Sequence, residues 1–310
     1  MRKFLSILGM CLLASACSGA GTGSSTSATP GASGSPGASG STPAPSYRVD
    51  AGADRLTLRI VADGGFVAPG YILTRLPQFA LYGDGRVIVG GPVIEIYPAP
   101  LLPNLRLLRV TSDEIQKILT AADNAGLLGS DASYDASGVM DAATTVFTTN
   151  VDGAAHTIRA YALSESSMTA NAADAAERAR LVQFSHDMSN LSTFLGRAVS
   201  DADAYAPTAM RVFVGQASAT EPQGLTRQVV AWPLTTDPGT VGVPTSNLGL
   251  RCVALTGNDL EAFLAVAKTA NALTVWTFGD GRYSVSVRPL YPDESGCAGP
   301  SPSASAPISS

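Results

Sequence analysis

Two stretches of this chain carry the same helix pattern, and that repetition restricts the fold more than any other feature. Val110-Thr111-Ser112-Asp113-Glu114-Ile115 aligns with Leu255-Thr256-Gly257-Asn258-Asp259-Leu260. In each, a Thr is followed three residues later by an acid, Glu114 or Asp259, which is a capping box or close to it. Ile115, Ile118, Leu119 and Ala122 then match Leu260, Phe263, Leu264 and Ala267. That i, i+3, i+4, i+7 spacing puts one apolar stripe on one helix face. The stops also coincide, near Gly126 and Asn271, two residue types that tolerate a left-handed cap. We read this as a structural duplication.

Strand-like sequence surrounds both helices. Asp-Gly turns between alternating β-formers mark hairpins at Phe79–Val89, Val146–Tyr161 and Val275–Val287. Further strands are predicted at Leu56–Val61, Met210–Val214 and Arg227–Trp232. The string GDGR occurs at Gly83–Arg86 and Gly279–Arg282. It reads as a tight turn, because no phosphate-loop lysine and no spaced calcium-binding acids follow. Over Asn171–Val199, Leu181, Phe184, Met188, Leu191 and Leu195 recur at three and four, predicting one long amphipathic helix whose alanine-rich start runs over the surface. The expected fold is α+β. Two tandem β-β-α-β-β units, at 47–163 and 206–297, each pack a helix on an antiparallel sheet, and a connecting segment at 164–205 joins them. A single continuous sheet built from both units is the runner-up.

The N-terminus reads as an address. Arg2 and Lys3 precede an apolar stretch of about ten residues, too short to span a bilayer but suited to a signal peptide over 1–16. Ala14-Ser15-Ala16 leads directly into Cys17, an arrangement similar to the lipobox of bacterial lipoproteins, although Leu13 stands one position early. The expectation is a lipidated Cys17 that anchors the chain to the outer face of the cell membrane; ordinary secretory cleavage is the alternative. From Ser18 to Ser46 every residue is Gly, Ser, Thr, Ala or Pro. Such a segment buries too little apolar surface to offset its ordering entropy, so 17–46 is expected to be a flexible linker. The tail at 298–310 repeats that composition. Cys252 and Cys297 are then left as an even pair in an oxidising compartment and predict a disulfide, with two buried thiols as the alternative.

Little material for catalysis remains. The chain has 2 His, and its 20 Lys plus Arg against 25 Asp plus Glu give a net charge of −5, the wrong sign for a nucleic-acid partner. Ser185-His186-Asp187 contains the residue types of a hydrolase triad, but adjacent helical residues point about 100° apart and do not converge. No metal-ligand spacing and no cofactor motif is present. Asp131, Asp135 and Asp141, with Asp201 and Asp203, are the carboxylates that an envelope hydrolase would draw on. Two proline-studded apolar segments, Tyr97–Pro103 and Arg288–Pro292, read first as edge or crossover segments that close the sheet, with partner surfaces as the alternative. Tyr97, Tyr291, Trp232 and Trp276 are the aromatic candidates for stacking on a glycan or packing against an envelope protein, with Trp232 and Trp276 also suited to a core.

YILTRLPQFALYGDGRVI, the AWPL segment and the closing RPLYPDESGC, together with the leader, resemble a group of uncharacterised secreted lipoproteins of high-GC actinobacteria. The resemblance spans residues 47–297 and implies compartment and fold, with no activity attached. The expected function is a lipid-anchored, non-catalytic binding or structural module of the cell envelope. The hydrolase using loop carboxylates is the alternative.

Overall fold

The Asp-Gly turns sit where alternating strands double back. Gly85, Asp152 and Gly153 take positive φ values of 84°, 54° and 79°, and Gly279 takes 55° at the third hairpin. A computed structural model describes residues 46–165, 174–197, 199, 203–220, 224–245 and 248–297. The leader, Cys17, the linker up to residue 45, Asn171, Asp201 and the 298–310 tail lie outside the described residues.

The first half comprises β1 (Leu56–Gly64), α1 (Pro69–Thr74), β2 (Phe79–Tyr82), β3 (Arg86–Gly90), β4 (Leu105–Arg109), α2 (Ser112–Asn124), β5 (Ala132–Tyr134), β6 (Ala143–Val151) and β7 (Ala154–Tyr161). Helices α3 (Ala175–Ser189) and α4 (Leu191–Leu195) follow, then β8 (Asp203–Ala204). The second half comprises β9 (Ala209–Gln216), β10 (Val229–Ala231), β11 (Val243–Pro244), β12 (Arg251–Thr256), α5 (Gly257–Ala267), β13 (Val275–Phe278) and β14 (Gly281–Pro289). The strands form an eight-stranded sheet, β5-β7-β6-β1-β2-β3-β4-β8, and a six-stranded sheet, β10-β13-β14-β9-β12-β11. Both are antiparallel except at one edge, where β5 runs parallel to β7 and β10 parallel to β13.

The fold is therefore α+β with two mixed sheets, and its halves are not laid out alike. Each half runs strand, helix, hairpin. In the first sheet the hairpin's first strand, β6, pairs with β1, whereas in the second it is the later strand, β14, that pairs with β9.

Strand alternation sorts each sheet into two faces. Leu58 and Ile60 of β1 and Ile158 of β7 join Ile115, Ile118 and Leu119 of α2 in the first core, which also takes Leu181, Phe184 and Met188 of α3. Met210, Val212 and Val214 of β9 pack against Leu260 and Phe263 of α5 in the second. The intervening residues, Arg59 and Val61 of β1 and Arg211 and Phe213 of β9, line a shared cleft. Over this area the layers run helices, sheet, sheet, helix.

Several local expectations change. Helix α2 starts with a closed capping box: Glu114 N donates to Thr111 Oγ1 at 3.3 Å, and Thr111 N donates to Glu114 Oε2 at 2.8 Å. Helix α5 has none, because Gly257 enters it at φ 53° and the Thr256 side chain caps nothing. Gly126, at φ 80°, closes α2 as expected. Asn271, however, lies beyond the end of α5 and bonds the Leu273 N–H in a turn of its own. The connecting helix is interrupted at Asn190 (φ −118°, ψ 46°), which separates α3 from α4. Its beginning runs over the surface at Ala175, Ala176, Ala179 and Arg180, with one exception. Arg178 is 1% exposed and donates to the carbonyls of Tyr161 and Ala162 at 2.9 and 3.1 Å.

Cys252 and Cys297 form a disulfide across a sequence separation of 45 residues. It closes a strap, residues 290–297, laid onto the first sheet. Asp293 accepts from Arg59 at 2.7 and 2.9 Å and from the Tyr82 hydroxyl at 2.6 Å. Glu294 takes a bidentate pair from Arg288 at 2.6 and 2.8 Å. Burial pushes the Glu294 carboxyl up, but its hydrogen bonds from Arg288 and the charges of Arg288 and Arg59 outweigh this and hold it below its ordinary value. Among the described residues no helix is long and apolar enough to cross a membrane.

Candidate functional site

At the far end of β1 the chain turns through Gly64 and Gly65, both at positive φ, and projects Phe66, which is 88% exposed. Short helix α1 follows, with Tyr71 and Ile72 half exposed. Arg75 fixes this corner. Its guanidinium donates to the carbonyls of Ala62 and Gly64 at 2.9 and 2.8 Å and stacks 5.3 Å above the Tyr71 ring.

The neighbouring β3–β4 connection is held at its base and bare at its tip. Gly91 N bonds Asn104 O at 2.9 Å, and the Asn104 side chain holds Pro92 O at 2.9 Å. Further along, Leu101 N reaches Ala270 O at 3.0 Å and Ala272 N reaches Ala99 O at 2.8 Å, so the segment crosses onto the second half. Leu101 is buried in the second core. Between these anchors Val93, Ile94, Ile96 and Tyr97 stand 79, 64, 52 and 71% exposed. Apolar side chains in such numbers on one loop face solvent without a cover. Below them opens a groove of about 1250 Å³, lined by Tyr71, Val93, Ile94, Leu102, Leu108 and Leu191 among others. Its chemistry is that of a docking surface: apolar walls, a proline-rich rim and few ionisable groups.

Of the aromatic candidates, Tyr97 lies on this surface and the other three do not. Trp232 (5% exposed) and Trp276 (0%) pack with Phe263 at centroid distances of 5.7 and 5.4 Å, forming the centre of the second core. Tyr291 (1%) is the buried anchor of the strap, 5.9 Å from the Tyr205 ring. Trp232 and Trp276 thus take the core role their sequence context also suggested, and the partner-surface expectation is corrected for them and for Tyr291. Phe66, Val93, Ile94 and Ile96 were missed, because a lone Phe66 and a short apolar run at Val93-Ile94-Glu95-Ile96 carry no period that separates exposed from buried. The flanking Gly90-Gly91-Pro92 and Pro98 were the available sign that no partner strand takes it up.

Of the loop carboxylates, Asp131 and Asp203 are not brought together. Asp131 accepts the Thr157 N–H at 2.8 Å beside β7, while Asp203 belongs to β8 at the opposite edge of the eight-stranded sheet. At strand spacings of about 4.8 Å the two edges lie roughly 30 Å apart. Ser185, His186 and Asp187 lie on α3, where Ser185 Oγ bonds Leu181 O and Asp187 accepts from Gln183. Among the described residues no group of three metal-ligating side chains converges.

Comparison with family models, curated proteins and solved structures returns no match.

Proposed function

We propose that this chain is a lipid-anchored extracytoplasmic binding module that docks an extended, apolar segment of an envelope protein in the groove under the 91–104 loop. The observation that carries this reading is the loop itself: bonded at both ends and bare of cover at Val93, Ile94, Ile96 and Tyr97. A surface loop on a rigid base presents side chains at low ordering cost, which favours recognition.

The chain joins the fold beside α2 and the β6–β7 turn. Tyr47 bonds Gln116 and Asp123 of α2, and Arg48 N bonds Asp152 at the β6–β7 turn. That turn adjoins the start of β1, and the groove adjoins its end. A nine-residue strand, about 30 Å long, separates them. We also infer that the two strand–helix–hairpin halves derive from one unit, on the aligned stripes of α2 and α5.

The test is a photo-crosslinker at Glu95 of the full chain in its native envelope. One crosslinked protein is expected, lost in an Ile94→Asp, Tyr97→Asp variant whose melting temperature is unchanged. An unchanged crosslink pattern in that variant would overturn docking at this loop. Cys17→Ser is expected to release the chain from the membrane fraction, and continued retention would overturn lipid anchoring.

A further inference from the structure

The sheet faces turned away from α2 and α5, with α1 at one side, line a second cleft, of about 510 Å³, that the docking reading does not use. Its walls combine two kinds of surface. Arg59, Arg75, Arg159, Arg211 and Arg288 supply five guanidiniums, against the carboxylates of Asp63 and Glu294. Between them stand Val61, Val146, Phe213 and, from α1, Ile72 and Leu73.

The positive charge is built in rather than scattered on the surface. Arg211 and Arg288 are each 4% exposed. Glu294 answers Arg288, and Asp293 answers one edge of Arg59. The buried Nε of Arg59 has no hydrogen-bond acceptor among the described residues. Arg75 donates to the carbonyls of Ala62 and Gly64, and Arg211 to that of Gly296 at 2.7 Å. Burial, and then the neighbouring charge of Arg288, hold the Arg211 guanidinium below its ordinary pKa, with Glu294 opposing. An anion entering this space meets preoriented forks suited to carboxylate or phosphate. The apolar wall beside them rewards a hydrocarbon or aromatic body, and the volume lies within the usual range of small-molecule sites.

We propose that this inter-sheet cleft binds an amphiphilic anion, its carboxylate or phosphate head among Arg59, Arg75 and Arg211 and its apolar body against Val61, Ile72 and Phe213. Isothermal titration calorimetry on the full chain tests it with four probes: octanoate, octyl phosphate, inorganic phosphate and the neutral octyl glucoside. At least one of the two amphiphilic anions is expected to bind at least about ten-fold more tightly than inorganic phosphate or octyl glucoside, the separation one charge-assisted contact supplies. Arg211→Gln is expected to weaken that binding by a similar factor. Because Arg211 is buried, Ile72→Asp is the second variant: Ile72 is 48% exposed, so its substitution leaves the melting temperature in place while putting a negative charge at the cleft. Undiminished binding in a folded Ile72→Asp protein would overturn the assignment. So would octyl glucoside or inorganic phosphate binding as tightly as the amphiphilic anions, or no heat from any probe.

Discussion

Helix α2 enters through a closed capping box and helix α5 through Gly257 in the left-handed region, although each follows a Thr with an acid three residues on. The apolar stripes nevertheless do the same work, with Ile118 and Phe263 both fully buried at aligned positions. Burial of the stripe, not the cap, is what both helices require, since tertiary packing supplies most of a helix's stability in a protein. The halves differ in what supports that packing. The first has a mainly aliphatic core, with Phe79, Phe147 and Phe184 among its members, reinforced by α3 and α4 and by an Arg197–Glu114 ion pair at the α2 start. The second has a smaller sheet with an aromatic centre, where Phe263 stacks on Trp276 at 5.4 Å, and the disulfide that closes the strap.

The largest expected effect breaks that aromatic centre. Phe263→Ala should lower the unfolding free energy by about 3–5 kcal/mol, read by urea denaturation. A loss under about 1 kcal/mol would mean that the ring stack does not hold α5. Reducing the Cys252–Cys297 bond comes next, at about 2–4 kcal/mol for a loop of this length. Both Trp residues belong to the second half, so tryptophan fluorescence follows that half selectively. Because the strap grips Arg59 and Tyr82 of the first sheet, the far-UV transition should move with it. A shift in fluorescence alone would show that the halves unfold independently.

The hairpins and stripes were legible because they are local: an Asp-Gly turn needs only its own backbone, and an i, i+3, i+4, i+7 stripe needs only one helix. The inverted hairpin order was not, since β6 and β14 choose neighbours far away in sequence. Arg178 illustrates a second limit. Within an alanine-rich polar stretch it looks solvated, yet three-dimensional packing brings the Tyr161 and Ala162 carbonyls to its guanidinium. Arg59, Arg159, Arg211 and Arg288 of the inter-sheet cleft were hidden in the same way, each sitting alone in an otherwise strand-like run. Of the candidate docking surface, the proline-studded segment from Tyr97 onward was legible, and the bare loop tip before it was not.

The caps offer a finer comparison. Thr111→Ala removes an engaged cap and should cost about 1 kcal/mol. Thr256→Ala removes a hydroxyl that caps nothing and should stay within about 0.5 kcal/mol. Equal losses in urea denaturation would mean that α5 closes its box in solution.

The smallest effect is a pH dependence confined to the first half. Hydrogen bonds from Arg197, opposed by burial and joined by those from Thr111, lower the Glu114 pKa from 4.5 to about 2. A carboxyl whose folded pKa is depressed binds fewer protons folded than unfolded, so its stabilisation is complete above the unfolded value and drains away as pH falls. The window here runs from 4.5 down to about 2. Arg197 is 40% exposed, so screening by salt should shrink the effect. Glu114→Gln keeps an acceptor for the Thr111 N–H but removes the charge. Denaturation midpoints measured across that window should therefore fall less steeply in Glu114→Gln than in the unsubstituted chain. An identical slope in both proteins would mean that the ion pair does not contribute, and that the α2 start rests on its capping box alone.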